Sequence, residues 1–223
     1  MKVGILGSGQ VAKTLGTGFL KHGHEVMLGS RSPEKLADWA SENAGAGTGT
    51  FEQTAAFAEI VVLAVAGRAA AEALDLAGAA NLAGKVVVDT TNPISEEAPQ
   101  NGVLRYFTGA NESLMERLQA RFPHGRFVKA FNSIGNAFMV NPTFPGGTPT
   151  MFICGNDDGA KATVAGILRQ FGFEPEDVGA VESARPLEAL CQLWCAPGLL
   201  RNQWTHAFHL LKLEARDRVA EPV

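Results

Sequence analysis

The chain has 223 residues, enough for one well-buried domain with an appendage and marginal for two full domains. Its net charge of −4 provides no basic footprint for nucleic acid or an anionic membrane surface. No apolar run approaches the roughly 20 residues of a membrane span, and the start is too short in apolar residues for a signal-peptide core, so a cytoplasmic protein with no membrane partner is expected.

The elements alternate. Lys2–Leu6 reads as a strand and Gln10–His22 as a helix stopped by Gly23. Glu25–Gly29 is the next strand. Ser32 caps a helix over Pro33–Glu42, with proline at its first position. A short strand is expected near Gly49–Phe51 and a short helix over Glu52–Ala58. Ile60–Ala66 is continuously apolar, the mark of a parallel strand buried on both faces. The alanine-rich Ala69–Ala80 is helical, and Lys85–Asp89 is another central strand. A loop over Thr90–Gly102 follows, then a helix from Asn111 to about Phe122, a strand Arg126–Phe131 and a short helix Ser133–Val140.

After a Gly/Pro loop come the strand Thr150–Cys154, a helix Asp158–Phe171 capped by Asn156 or Asp157, and a last strand Phe173–Val178. Ser183–Lys212 reads as mostly helix, kinked at Pro197-Gly198. Strands alternating with helices predict an α/β fold, a doubly wound and mainly parallel sheet with a short C-terminal helical part. The division expected is a dinucleotide-binding unit over 1–147 and a smaller strand–helix part over 148–223 on the same core.

Chemistry in such sheets gathers at the carboxyl ends of the strands. Gly7-Ser8-Gly9-Gln10-Val11-Ala12 follows the first strand and opens the first helix, a G-x-G-x-x-A dinucleotide fingerprint. Gly7 permits the sharp turn, Gly9 lets the backbone approach a pyrophosphate, and the amides of the helix start would hold the phosphates. An NAD site usually places an acid at the end of the second strand. Here stand Gly29-Ser30-Arg31, with Lys35 a turn further on, either a second cation for the ligand or a surface charge. A hydroxyl and a guanidinium attract a 2′-phosphate, which predicts NADP(H).

Three more strand ends would surround the nicotinamide: Val65-Ala66-Gly67 as a flat small wall, Thr90-Thr91-Asn92-Pro93, and Lys129-Ala130-Phe131-Asn132. Asn132 is the candidate catalytic group, in a catalytic or a positioning role. No metal site is expected. Cys191 and Cys195, or His206 and His209, have ligand-like helical spacing, but the interleaved Leu190, Leu193 and Trp194 favour a packed face. Three cysteines with no C-x-x-C pair fit reduced thiols. His22 and His24 are expected at the surface, Arg185 and Glu188 as an i,i+3 pair, and Phe131, Phe138 and Trp194 in the core.

Gly7–Ala12, Gly29-Ser30-Arg31, Lys129-Ala130-Phe131-Asn132 and Ser183-Ala184-Arg185 with Glu188 and Leu190 resemble the NADPH-dependent 8-hydroxy-5-deazaflavin oxidoreductase family. They are also similar to the cytosolic domain of the six-transmembrane metalloreductases. The resemblance spans Lys2 to about Leu211. It implies an NADP(H)-binding Rossmann domain, usually a homodimer, and hydride transfer from nicotinamide C4 to a small-molecule acceptor of flavin type: a deazaflavin, FMN or FAD. By the resemblance Ser30 and Arg31 take the 2′-phosphate, Gly7–Val11 the pyrophosphate, and Asn92-Pro93 and Ala130–Asn132 border the nicotinamide. No membrane domain is expected here, a departure from the metalloreductases, and the Lys-Ala-Phe-Asn run is a departure from the deazaflavin enzymes. Two alternatives are a dehydrogenase or imine reductase acting on a small molecule, which normally needs a larger helical domain, and a non-enzymatic NADP(H) sensor.

Overall fold

The structure is a computed structural model and describes residues 1–213. Six parallel strands form the main sheet: β1 (Lys2–Leu6), β2 (Glu25–Gly29), β3 (Gly47–Gly49), β4 (Ile60–Leu63), β5 (Val86–Asp89) and β6 (Arg126–Lys129), in the order β3-β2-β1-β4-β5-β6. This is a Rossmann-like sheet. The order reverses at β1, so the crevice between the ends of β1 and β4 is the topological switch point where such sheets take ligands. Val61, Val62 and Leu63 are sealed on both faces, as their unbroken apolar run predicts.

Helices cover both faces. On one, α1 (Gln10–Lys21) buries Ala12, Leu15 and Phe19, one stripe at helical spacing, against Val3, Ile5 and Leu28. On the other lie α3 (Phe51–Phe57), α4 (Ala70–Ala77) and α6 (Leu114–Arg121), around Leu63, Leu74 and Phe127. A second parallel pair, β7 (Thr150–Ile153) and β8 (Glu174–Asp177), is tied to β6 by one antiparallel bridge, Lys129 to Cys154. Between them α7 (Asp158–Gln170) puts Val164, Ile167 and Leu168 into the same cluster as Val3 and Ile5.

Several boundaries differ from the sequence reading. Pro33–Leu36 winds as a 3₁₀ turn before α2 (Ala37–Glu42). The short strand sits at Gly47–Gly49, because Thr50 and Gln53 close a reciprocal capping box that starts α3. Gly78, at φ 85°, splits the alanine-rich helix into α4 and α5 (Ala79–Leu82). Ser113, boxed with Glu116, caps α6 in place of Asn111. Ser133–Val140 holds a single 3₁₀ turn, Asn136–Phe138.

The largest correction is at the C-terminus. One helix, α8 (Ala184–Arg201), runs through Pro197 and stops at Asn202 in the left-handed conformation. Residues 202–213 form no second helix. They return as an extended strap: the Trp204 ring covers Gly198, and Thr150 N donates to Phe208 O at 2.9 Å. The strap satisfies side chains that would otherwise strand polar atoms, since Trp194 Nε1 donates to His206 O at 3.0 Å. His206 and His209 are therefore not on a helix. The remainder of the expected 148–223 part lies outside the described residues.

Candidate functional site: a dinucleotide cleft at the strand ends

Gly7 leaves β1 at φ 150°, and a Cβ there would come 2.2 Å from Ala64 O, so the turn requires glycine. Gly9 differs: a Cβ would meet no atom of the described residues within 4 Å, because this face is open. Gly9 is the N-cap of α1 and offers no side-chain cap, and the first turn carries no acid. By contrast α3, α6 and α7 are capped by Thr50, Ser113 and Asp157. The first-turn amides of α1 thus keep their donor capacity and partial positive charge for an anion.

A cavity of about 510 Å³ opens over this turn. It brings together Gly7, Ser8, Gly9, Ser30, Arg31, Lys35, Val65 and Ala66, all expected from the sequence. Ser30 is buried, and its Oγ accepts from Ser32 N at 3.1 Å, which fixes the turn that presents Arg31. Lys35 reaches the cavity from the 3₁₀ turn. The walls also include Ser32, Arg68 and Glu72, which sequence reading missed. Arg68 and Glu72 follow β4, and the strand order that sets them opposite Arg31 is a tertiary fact. Gln10 and Val11 stand in the first turn of α1 and are not among the lining side chains. The cavity's cationic and amide donors and its open face over Gly9 fit a phosphorylated dinucleotide.

Asn92, Pro93, Ala130 and Asn132 form a separate group at the ends of β5 and β6, outside that cavity. Asn132 Nδ2 donates to Asn92 Oδ1 at 3.1 Å and to Leu187 O at 2.7 Å, while Asn92 Nδ2 donates back to Asn132 O at 2.8 Å. Asn132 is 5% exposed, and its buried Oδ1 has no hydrogen-bond partner among the described residues. Between the two, Phe131 holds φ 60°, a conformation that a bulky residue adopts only when its surroundings force it. Its ring packs with Phe171 and Phe173 in the core. Ala130 is fully buried.

A charged cluster supports this edge from beneath. Lys129 Nζ, wholly buried, lies 2.6 Å from Asp89 Oδ2, 2.9 Å from Glu188 Oε1 and 2.8 Å from Thr91 O. Burial favours the neutral amine, but the Asp89 and Glu188 carboxylates outweigh it and hold the Lys129 pKa above the ordinary lysine value. Glu188 also accepts from Leu114 N and Met115 N, closing the start of α6. The expected Arg185–Glu188 pair does not form, because Glu188 turns inward and Arg185 bonds Glu116 instead. Asp89 and Lys129 are the last residues of β5 and β6, a charge closing each buried strand, and that is the signal by which sequence could have paired them.

Cys191 and Cys195 lie 4.0 Å apart on α8, and among the described residues no group of three or more ligand-type side chains could hold a metal. Burial pushes the Cys154 thiol up to about 12. His22 and His24 are half-buried rather than free at the surface, with His22 stacked on Phe171 and His24 edge-on to Phe19. Trp194 is buried as expected, while Phe138 is half-buried against Phe144. No helix among the described residues is long and apolar enough to cross a membrane.

A family model described as NADP oxidoreductase, coenzyme F420-dependent, matches residues 2–93. Metalloreductase STEAP3 of Rattus norvegicus is 36% identical over 204 residues, covering 89% of this chain and 39% of that protein. Metalloreductase STEAP2 of Homo sapiens is 28% identical over 200 residues, covering 87% and 37%. The chain therefore spans under two-fifths of the length of these curated relatives. A crystal structure from Arthrobacter sp. FB24, assigned as an F420-dependent NADP-reductase, matches with a TM-score of 0.89 and 34% identity, over 95% of this chain and 100% of that one. An imine reductase from Aspergillus terreus shares the fold at 19% identity and a TM-score of 0.66, over 90% of this chain and 63% of that one. By its match along the whole Arthrobacter chain, this protein belongs to the coenzyme F420-dependent NADP oxidoreductase family.

Proposed function

We propose that the protein is a cytoplasmic NADP(H)-dependent reductase that passes a hydride between the nicotinamide and a flat flavin or deazaflavin acceptor. The observation that carries this reading is the meeting, in one cavity, of the Gly7–Gly9 turn with Ser30 and Arg31 at the end of β2. In this reading the α1 amides hold the pyrophosphate, and Ser30, Arg31 and Lys35 hold the 2′-phosphate. Arg68, whose Nε lies 3.3 Å from Glu96 Oε1, also lines the cavity.

When bound, NADPH supplies the hydride, so the chain needs no acid–base triad; its work is to place two rings in contact and exclude water. Val65 and Ala66 offer a small flat wall at the end of β4. Asn132 Oδ1, buried without a partner, is suited to accept a carboxamide N–H, with its orientation fixed by Asn92 and Leu187 O. Asn132 then positions the nicotinamide, and Ala130, Asn92 and Pro93 shape the edge it rests on. The acceptor is a small molecule, and the second partner is another copy of the chain.

The test is an acceptor panel. Protein and NADPH are mixed with FMN, FAD, riboflavin, a deazaflavin, ferric chelates and a cyclic imine while nicotinamide absorbance is followed. Turnover with a flavin or deazaflavin supports the reading. Reduction of a cyclic imine instead would place the chain with the imine reductases, and tight NADPH binding with no turnover would make it a sensor.

A further inference from the structure

We propose that Glu72 is a specificity-determining residue that restrains the preference for NADP(H) by contesting Arg31 with the 2′-phosphate. This rests on the cofactor reading above. Glu72 is in the first turn of α4 and Arg31 follows β2, 41 positions earlier, yet both line the same cavity. Arg31 Nη1 lies 3.5 Å from Glu72 Oε1, the long limit of a hydrogen bond, through one nitrogen rather than a paired fork. Both side chains are well exposed, at 67% and 60%. The pair is therefore weak and easily exchanged. A phosphate, with about two negative charges and three acceptor oxygens, outcompetes one carboxylate for a guanidinium.

The cost of that exchange falls on the phosphorylated cofactor alone. Glu72 must give up Arg31 and then stand as a like charge beside the 2′-phosphate, whereas a bare ribose hydroxyl brings no charge to repel. Glu72 thereby lowers NADPH affinity, leaves NADH affinity unchanged, and narrows the ratio between them. It also eases release of the oxidised cofactor, which carries the same 2′-phosphate.

The experiment is a fluorescence titration of NADPH and NADH against wild type, Glu72→Gln, Glu72→Lys and Arg31→Ala, with melting temperatures to show that each variant is folded. Glu72→Gln should tighten NADPH about two- to fivefold and leave NADH within twofold, as expected for an exposed pair. Glu72→Lys should tighten NADPH about tenfold, and both gains should shrink at high salt. Unchanged NADPH affinity in Glu72→Gln would overturn the inference. Equal weakening of both cofactors would overturn it too, by making Glu72 a contact to the shared adenosine. If Arg31→Ala weakens NADPH while the Glu72 variants do not tighten it, the cofactor reading stands and this inference alone fails. If Arg31→Ala changes nothing, both fail.

Discussion

Lys129 on β6 and Glu188 on α8 meet 2.9 Å apart, both buried, joining the carboxyl edge of the sheet to the C-terminal helix. Asp89 on β5 completes the cluster, so one ammonium serves two buried carboxylates. Lys129→Met leaves two like charges together without compensation. It should cost about 3–5 kcal/mol, read as a lower urea midpoint with unchanged slope. The pH dependence follows from the raised pKa of Lys129. Its contribution is fully present below the unfolded lysine value of about 10.4 and is lost as pH rises through the higher folded value. The gap between wild type and Lys129→Met should therefore hold constant from neutral pH to about 10 and shrink above it. A gap that already closes at neutral pH would contradict this account of the cluster.

Gly7 and Gly9, two residues apart, should fail in opposite ways. Gly7→Ala forces a Cβ against Ala64 O at a φ unsuited to alanine, so expression or melting temperature should drop sharply. Gly9→Ala meets open space, so the fold should keep its melting temperature while NADPH affinity falls at least tenfold. Calorimetry beside a cofactor titration separates the two, and normal NADPH binding by Gly9→Ala would remove this turn from the site.

Asn132→Ala removes bonds to Leu187 O and Asn92 Oδ1. A loss of about 1–3 kcal/mol in stability is expected from the stranded partners. If Asn132 positions the nicotinamide, single-turnover hydride transfer should slow about a hundredfold, with NADPH affinity within a few-fold, because phosphate contacts dominate binding. An unchanged transfer rate would make Asn132 purely structural.

The sheet was legible because its strands announce themselves. Lys2–Leu6 and Glu25–Gly29 match to the residue, and the fingerprint between them is a local feature of chain order. The cleft's near wall was legible for the same reason, since Ser30 and Arg31 directly follow a strand. Its far wall was not: Arg68 and Glu72 reach Arg31 only through the adjacency of β2, β1 and β4. Glu188 was misread because i,i+3 spacing suggests a local partner, whereas burial against Lys129 and the α6 amides binds it more strongly. The C-terminal strap was misread because Trp204, Phe208 and Leu211 have helical spacing, but they follow a left-handed stop at Asn202, after which Trp204 folds back on Gly198 and Phe208 O accepts from Thr150 N of β7.

The strap also shapes the face on which the homodimer implied by the resemblance is proposed to form. Trp194 and Trp204 now pack on each other, 5.7 Å between centroids, while Leu199, Leu200 and Leu211 remain exposed. A homodimer burying this face predicts twice the monomer mass by light scattering at micromolar concentration. Leu200→Glu should return the monomer mass. A monomeric wild type would contradict it.

The central claim is that Arg31 grips a 2′-phosphate, and titration of NADPH and NADH against wild type, Arg31→Ala and Arg31→Asp tests it most directly. A charge-assisted hydrogen bond is worth about 1.5–3 kcal/mol. Arg31→Ala should therefore weaken NADPH roughly ten- to a hundredfold and leave NADH nearly unchanged. Arg31→Asp should reverse the preference, by repelling the phosphate and accepting from bare ribose hydroxyls. Equal affinity of wild type for both cofactors, or equal weakening of both by Arg31→Ala, would contradict the account.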